Sequence, residues 1–308
     1  MIKNYSCNLF EKYMVMKSLL MIFFAILLIA ACTVDEATYD YDLQGHRGAR
    51  CLLPENTIPS FLKAIDYGVD TIEFDLVVTG DNQILISHEP WFDHQISTKP
   101  DGEPVTEEEQ MAFNIYQMTY KETQQFDVGA RGHAGFPEQV PMEVTKPLMR
   151  DAILAIESYV DEQGLNLVQY NIETKSRPEW YGEYGPQPEE FSQLLYDELA
   201  DLDILDRVII QSFDPATLIA MREIDSGLVQ AMLVFEEEQT IDQYVEILGY
   251  KPEIWSPHYQ LVTPELVADV HERGMTIIPW TINEREEMIR LLEMGVDGII
   301  TDYPNRAP

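Results

Sequence analysis

PELVADVHERGMTIIPWTINEREEMIRLLEMGVDGIIT, spanning Pro264–Thr301, decides the fold. It reads as helix Pro264–Arg273, strand Met275–Thr281, helix Glu284–Glu293 and strand Gly298–Thr301. The same order runs back through the middle of the chain. Helix Leu148–Gln163 leads to strand Asn166–Glu173, and helix Pro188–Asp201 to strand Val208–Phe213. Helix Pro215–Asp225 leads to strand Leu228–Phe235, and helix Ile241–Leu248 to strand Glu253–Ser256. Two earlier strands, Asp42–His46 and Val69–Val78, flank a helix that Asn56 or Thr57 caps and Gly68 stops. Sustained βα alternation argues for a parallel sheet. Eight such units in a chain of 308 residues argue for a closed (β/α)8 TIM barrel. An open doubly wound sheet is the alternative, but no strand precedes the glycines of Gly129–Gly135 to make its phosphate loop.

Upstream of these units, Gly45–His88 concentrates the chemistry. It opens GHRGARCLLPENT and closes GVDTIEFDLVVTGDNQILISH. Residues two apart in a strand share a face, so Glu73 and Asp75 project together and Phe74 turns away. Two carboxylates converging beside apolar residues are costly unless a cation sits between them. Gly80–Gln83 reads as a tight hairpin returning along Ile84–His88. A two-residue loop sets position 73 or 75 opposite His88 and brings the ring to the carboxylate face; a three-residue loop turns it away. Two acids, His88 and the His46–Arg47 pair suit metal-assisted acid–base chemistry. In a barrel the active residues stand at strand C-termini. There the sequence places His46 and Arg47, Glu73 and Asp75, Glu173 and Lys175, Gln211–Phe213, Ser256–Tyr259, Trp280–Asn283 and Thr301–Tyr303.

Glu89–Pro147 interrupts the alternation, with acidic clusters and a single helical candidate at Thr119–Phe126. An unpatterned stretch this long is a functional or inserted element. Because it follows His88 directly, it is expected to lie over the site. At the N-terminus, Lys17 precedes an apolar run, Ser18–Leu28, which ends in Ile29-Ala30-Ala31-Cys32. That is the pattern of a secretory leader, and a cysteine in this place resembles a bacterial lipobox. The resemblance implies a 1–31 signal peptide, lipidation at Cys32, a 32–41 tether and a membrane-anchored protein of the cell envelope. A transmembrane anchor is the alternative. The formal net charge is −34, with 54 acidic against 20 basic residues. This excludes nucleic acid as a partner and requires any anion site to be locally positive. With Cys7 and Cys32 in the leader and anchor, Cys51 stands alone and reads as packing. His94, His133 and His271 read as surface residues; His258 ends a strand, and Trp180, Tyr181 and Tyr184 form either a substrate-facing loop or packing beneath the insertion.

The pieces GHRG with PENT, EFD, LISH, NIETK, QSF, PWTIN and GVDGIITDYP, in order from Gly45 to Pro304, closely resemble the glycerophosphodiester phosphodiesterase family. Thr119–Pro141 is similar to the insertion of its periplasmic branch. One departure is Glu89, where the family usually has Asp; it is left out of the catalytic set. The resemblance implies Glu73, Asp75 and Glu173 as ligands of one divalent cation, Ca²⁺ or Mg²⁺. It implies Arg47 and Lys175 on the phosphate, and His46 and His88 exchanging protons. Phe213 and Trp280 would pack against the glycerol carbons, or else against the rim. The implied reaction is hydrolysis of glycerophosphodiesters to sn-glycerol 3-phosphate and an alcohol. The nucleophile is water or the glycerol 2-hydroxyl. A phospholipase-type enzyme acting on intact lipid or a glycerophosphate polymer, and a non-catalytic surface lipoprotein, are the alternatives.

Overall fold

The computed structural model describes residues 39–236 and 239–308. The leader, Cys32 and most of the 32–41 tether lie outside the described residues. Among the described residues no helix is long and apolar enough to cross a membrane.

Eight parallel strands form the barrel: β1 (Asp42–Gly45), β2 (Thr71–Val78), β4 (Gln169–Thr174), β5 (Val208–Ser212), β6 (Val229–Val234), β7 (Ile254–Pro257), β8 (Thr276–Ile277) and β9 (Gly298–Thr301). The order β8-β7-β6-β5-β4-β2-β1-β9 follows the chain around the sheet, and β3 (Ile84–Ile86) pairs antiparallel with β2 as the hairpin arm. Backbone bonds from Asp297 N–H to Ile277 O and from Ile300 N–H to Pro279 O close the circle, each 3.0 Å long. β2 is buried along its whole length, as expected of a strand with the barrel interior on one face and helices on the other. Its outward Phe74 packs on Phe61 of helix Ile58–Asp66 and on Tyr170. Inside, Ile209, Ala231, Ile254, Ile278 and Ile300 form an apolar layer, the filled interior that makes such a barrel a core and not a pore.

Several boundaries differ from the expectation. The strand placed at Asn166–Glu173 begins at Gln169, with Leu165 and Leu167 exposed after the left-handed cap Gly164. The strand expected over Met275–Thr281 is regular only at Thr276–Ile277; Pro279 has no N–H to donate, and beyond it the pairing goes on as single bonds, such as Trp280 N–H to Pro257 O. The Thr119–Phe126 helix is one turn, Tyr120–Thr123, held by a Thr119–Glu122 capping box.

The hairpin register also corrects the reading. Val78 pairs with Ile84 and Leu76 with Ile86, and Thr79 N–H donates to Gln83 O. The loop is thus Gly80-Asp81-Asn82, the three-residue form, and a continued strand would carry His88 to the Phe74 face. It does not continue. Ser87 N–H donates to Asp75 O, Ser87 Oγ donates to Glu89 O, and the chain bends there. The bend returns His88 to the carboxylate side.

Much of the 89–147 segment packs behind the hairpin, while Phe136 and Gln139 contact Arg50. Phe92, Ile96, Val105, Ile115, Phe126 and Val128 bury themselves with Val77 and Leu85 in a core of their own. Trp91 meets Trp180 and Tyr184 edge-on, so those aromatics pack beneath the insertion. Cys51 is buried with Phe136 and Tyr303, and burial pushes its thiol up to about 12, consistent with packing.

Candidate active site

The loop after β1 builds the first half of the site. Arg47 is left-handed, at φ 51°, and Gly48 follows at φ 84°. A Cβ on Gly48 would lie 2.7 Å from the Ser60 carbonyl carbon, so glycine alone lets the loop pass so close to the helix. This turn aims Arg47 N–H at Glu73 Oε2, 2.8 Å away. The PENT stretch supplies the partners. Glu55 accepts from Arg47 Nη1 at 2.8 Å and from Arg50, and Asn56 Nδ2 donates to Asp75 Oδ2 at 2.8 Å. Asn56, expected as a helix cap, is therefore a brace for the acid pair.

Glu73 and Asp75 on β2 meet Glu173 on β4, where Asp75 and Glu173 are in direct register. All three are buried, and one oxygen of each lies within 4.8 Å of the others. Lys175 Nζ stands 2.7 Å from Glu173 Oε1 and 3.6 Å from Asp75 Oδ1. Burial, then repulsion from Asp75, pushes Glu73 well above the usual carboxylate range. Glu173 rises to about 7 through burial, opposed by Lys175 and reinforced by Asp75. Asp75 goes the other way: burial would raise it, but His88, Arg47 and Lys175 outweigh that and hold it ionised. Its Oδ1 is buried without a hydrogen-bond donor. A compact, all-oxygen, water-shielded donor set with an orphaned oxygen fits a hard divalent cation. The absence of sulfur or imidazole from the set disfavours zinc.

The two histidines face the same cavity, each held through Nδ1 by a carboxylate. His46 Nδ1 is 2.6 Å from Asp302 Oδ1, and His88 Nδ1 is 2.7 Å from Glu89 Oε1. This leaves each Nε2 for chemistry. Burial lowers both rings: Asp302 opposes the shift in His46, while Arg47 and Lys175 deepen it in His88, to about 4. Asp302 in turn accepts from Asn283 Nδ2 at 2.8 Å. Burial would raise this acid, but His46 and Arg50 outweigh that and hold it at about 2.

A cavity of about 280 Å³ joins these parts, lined by His46, Arg47, Glu73, His88, Glu173, Phe213 and Trp280 with Arg50, Gln211 and Ile300. Asp75 and Lys175 are not on its lining but sit one contact behind it, on Arg47 and Glu173. Among the lining residues none comes from 89–147. Phe213 and Trp280 form an edge-to-face pair 5.4 Å apart, with His258 against Trp280 and off the lining. His94 bonds Gln110 and His271 bonds Asp297, away from the cavity, and His133 packs on Phe136.

The sequence profile of the glycerophosphoryl diester phosphodiesterase family matches residues 46–306. The chain belongs to that family. A glycerophosphodiester phosphodiesterase of Bacillus altitudinis is 28% identical over 265 residues, covering 85% of this chain and 94% of the relative. One from Caldanaerobacter subterraneus is 27% identical, covering 84% and 93%. A solved structure of Silicibacter pomeroyi described by the same family name superposes with TM-score 0.77 at 29% identity, covering 88% and 92%. A phosphodiesterase of Oleispira antarctica, solved in complex with the product sn-glycerol-3-phosphate, shares the fold at TM-score 0.67 and 21% identity, covering 86% and 94%.

Against this family frame, sequence reasoning missed Asp302, Glu55, Arg50 and the orienting role of Glu89. Asp302 was visible as a polar strand end, but its partner His46 is 256 residues away.

Both rings being neutral near pH 7 in the cation-free protein, their contribution to stability is expected to fall in acid. Between pH 6.5 and about 4 the unfolded chain binds a proton that folded His88 takes up only at the lower value. The unfolded state then holds more protons, so the His88 contribution to stability rises with pH across this window, by about 2 kcal/mol from pH 5 to neutrality, against the opposite slope of the raised acids Glu73 and Glu173. Thermal melts of wild type and His88→Gln side by side test this: as pH falls through the window, wild type should lose stability relative to the variant.

Proposed function

We propose that this chain hydrolyses glycerophosphodiesters to sn-glycerol 3-phosphate and an alcohol, using one divalent cation and the His46–His88 pair. The observation that carries this is three buried carboxylates and two carboxylate-oriented imidazoles around one cavity. Glu73, Asp75 and Glu173 would hold Ca²⁺ or Mg²⁺, which when bound supplies Lewis-acid stabilisation of phosphate and hydroxyl oxygens. Arg47, fixed by Glu55 and Asp75, presents its guanidinium to the phosphate. Lys175 neutralises the acids, and it turns to the phosphate only where they are otherwise engaged. One histidine enters neutral and takes the proton of the attacking hydroxyl; the other enters protonated, its imidazolium favoured by the bound phosphodiester anion, and gives its Nε2 proton to the departing alcohol oxygen. Phe213 and Trp280 give the three-carbon moiety an apolar wall.

The attacking group is water or the glycerol 2-hydroxyl; the second route releases a 1,2-cyclic phosphate first. The substrate also fits the product seen in the Oleispira antarctica complex. We further place the mature protein in the cell envelope, anchored through Cys32. The deciding assay measures glycerol 3-phosphate release from glycerophosphocholine, glycerophosphoethanolamine and glycerophosphoglycerol. Turnover with at least one, lost on chelation and regained with Ca²⁺ or Mg²⁺, is expected. Turnover of intact phospholipid alone, or none at all, would overturn it.

A further inference from the structure

Lys146 is one of only 20 basic residues in a chain with 54 acidic ones, yet it is buried, 5% exposed, at the end of the 89–147 segment. Among the described residues its ammonium forms no ion pair. It donates to Ser87 Oγ at 2.8 Å and lies 5.6 Å from the Phe92 ring centre. Burial lowers its pKa, against the pull of Glu55, Asp93, Glu89 and Asp75. A buried amine without an ion-pair partner is costly, and an apolar side chain of the same length would fill the position more cheaply. Stability does not account for it, so its place must.

That place is defined by the strand edge. Leu148 bridges antiparallel to Leu85, and Ile86 N–H donates to Pro147 O at 3.0 Å. In this register Lys146 falls opposite Ser87, the residue at which the hairpin arm bends. Ser87 Oγ accepts from Lys146 and donates to Glu89 O at 2.6 Å, while Ser87 N–H donates to Asp75 O at 2.9 Å. Glu89 then holds His88 Nδ1. A continuing strand would have turned His88 away, so this bend sets where the ring points.

The geometry points to Lys146 as a positioning residue for His88: through Ser87 and the Glu89 carbonyl it fixes the turn that aims the ring into the cavity. The inference rests on the proton-transfer role proposed above. It also gives the insertion a part in the site from behind the hairpin. Without the ammonium, the Ser87 hydroxyl keeps its bond to Glu89 O but loses the tie that anchors it to the 146–148 edge, and the His88–Glu89 unit loses part of its fixed base.

Steady-state kinetics of Lys146→Met, Ser87→Ala and the double variant test this, with thermal melts of each. Lys146→Met is expected to lower kcat by about 10- to 100-fold with KM nearly unchanged, the cost of a misplaced catalytic group. Its Tm should stay level or rise. Ser87→Ala should do the same to kcat, and the double variant should be no worse than Ser87→Ala alone, since both remove one link. Effects that multiply, a kcat within about twofold of wild type, or a loss confined to KM or to Tm would overturn it. If Lys146→Met does not fold, Lys146→Gln replaces it in the cycle; failure of both to fold makes the residue structural and also overturns it. The His88 ring ¹⁵N resonances, assigned by their loss in His88→Gln, give a readout independent of turnover. One ring environment in the wild type and exchange broadening in Lys146→Met support positioning; identical signals overturn it. If the wild type hydrolyses no diester, the functional reading fails by itself and the spectra still decide this one.

Discussion

His46→Ala and His88→Ala are each expected to lower kcat by about 10³-fold, within the range a positioned proton-transfer group contributes. Both rings face the cavity and not the apolar layer beneath it, so the loss should fall on kcat with Tm little changed. The carboxylates behind them explain why no neighbour substitutes. Asp302 and Glu89 are acceptors at Nδ1; Glu89 is off the cavity lining, and Asp302, which reaches it, is tied to Asn283 and held ionised at about 2, with no proton to give. Removing an imidazole therefore leaves an anion behind a gap, not a proton carrier in reach. A substrate with an activated alcohol, such as a 4-nitrophenyl ester of glycerol phosphate, separates the two roles. It needs no protonation on leaving, so the variant whose rate recovers on it is the one that lacks the acid. If both variants keep more than a tenth of wild-type kcat on ordinary diesters, imidazole proton transfer is not the mechanism.

Much of this site was legible in the chain because strand alternation is a local signal. Glu73 and Asp75 share a face by period two alone, and the repeating helix–strand order fixes which ends of the strands face one another. What failed was whatever depended on a turn. The hairpin loop is three residues long, and the expectation that such a loop diverts His88 assumed a strand running straight to the ring; Ser87 bends the chain first. Glu55 and Asn56 read as a helix start, because a sequence window cannot show that the left-handed turn at Arg47 folds them back onto the acids. Glu89 was set aside for its extra methylene, yet its longer arm reaches Nδ1 from the adjacent residue. Arg50 and Lys146 carried no local signal, since their partners arrive from distant segments.

Glu173→Gln is expected to abolish both the response to divalent cation and turnover, while leaving the cation-free protein as stable as wild type or more so. Glu173 is raised to about 7 in the fold, against an ordinary value of 4.5. An acid raised on folding weakens the folded state once pH exceeds its unfolded value, and the penalty grows until pH passes the folded one. Cation-free wild type should therefore lose stability from about pH 4.5 to 7 on this account, and Glu173→Gln should remove that slope. A bound cation reverses the sign, because the clustered charge becomes its ligand set. Wild type at a hundredfold excess over Kd should then gain about 2.7 kcal/mol. Glu173→Gln keeps Lys175 near Asp75 at 3.6 Å, so the basic side of the site retains a partner, but it lacks the third anionic ligand. Loss of the cation's several kcal/mol of transition-state stabilisation corresponds to a fall in kcat of about 10³-fold or more. Calorimetric titration with Ca²⁺ and with Mg²⁺, alongside melts in chelator, measures both halves. A wild type whose Tm and rate ignore chelator would leave the three carboxylates a repulsive cluster serving some other purpose, and hydrolysis here would have to rest on Arg47 and the histidines alone.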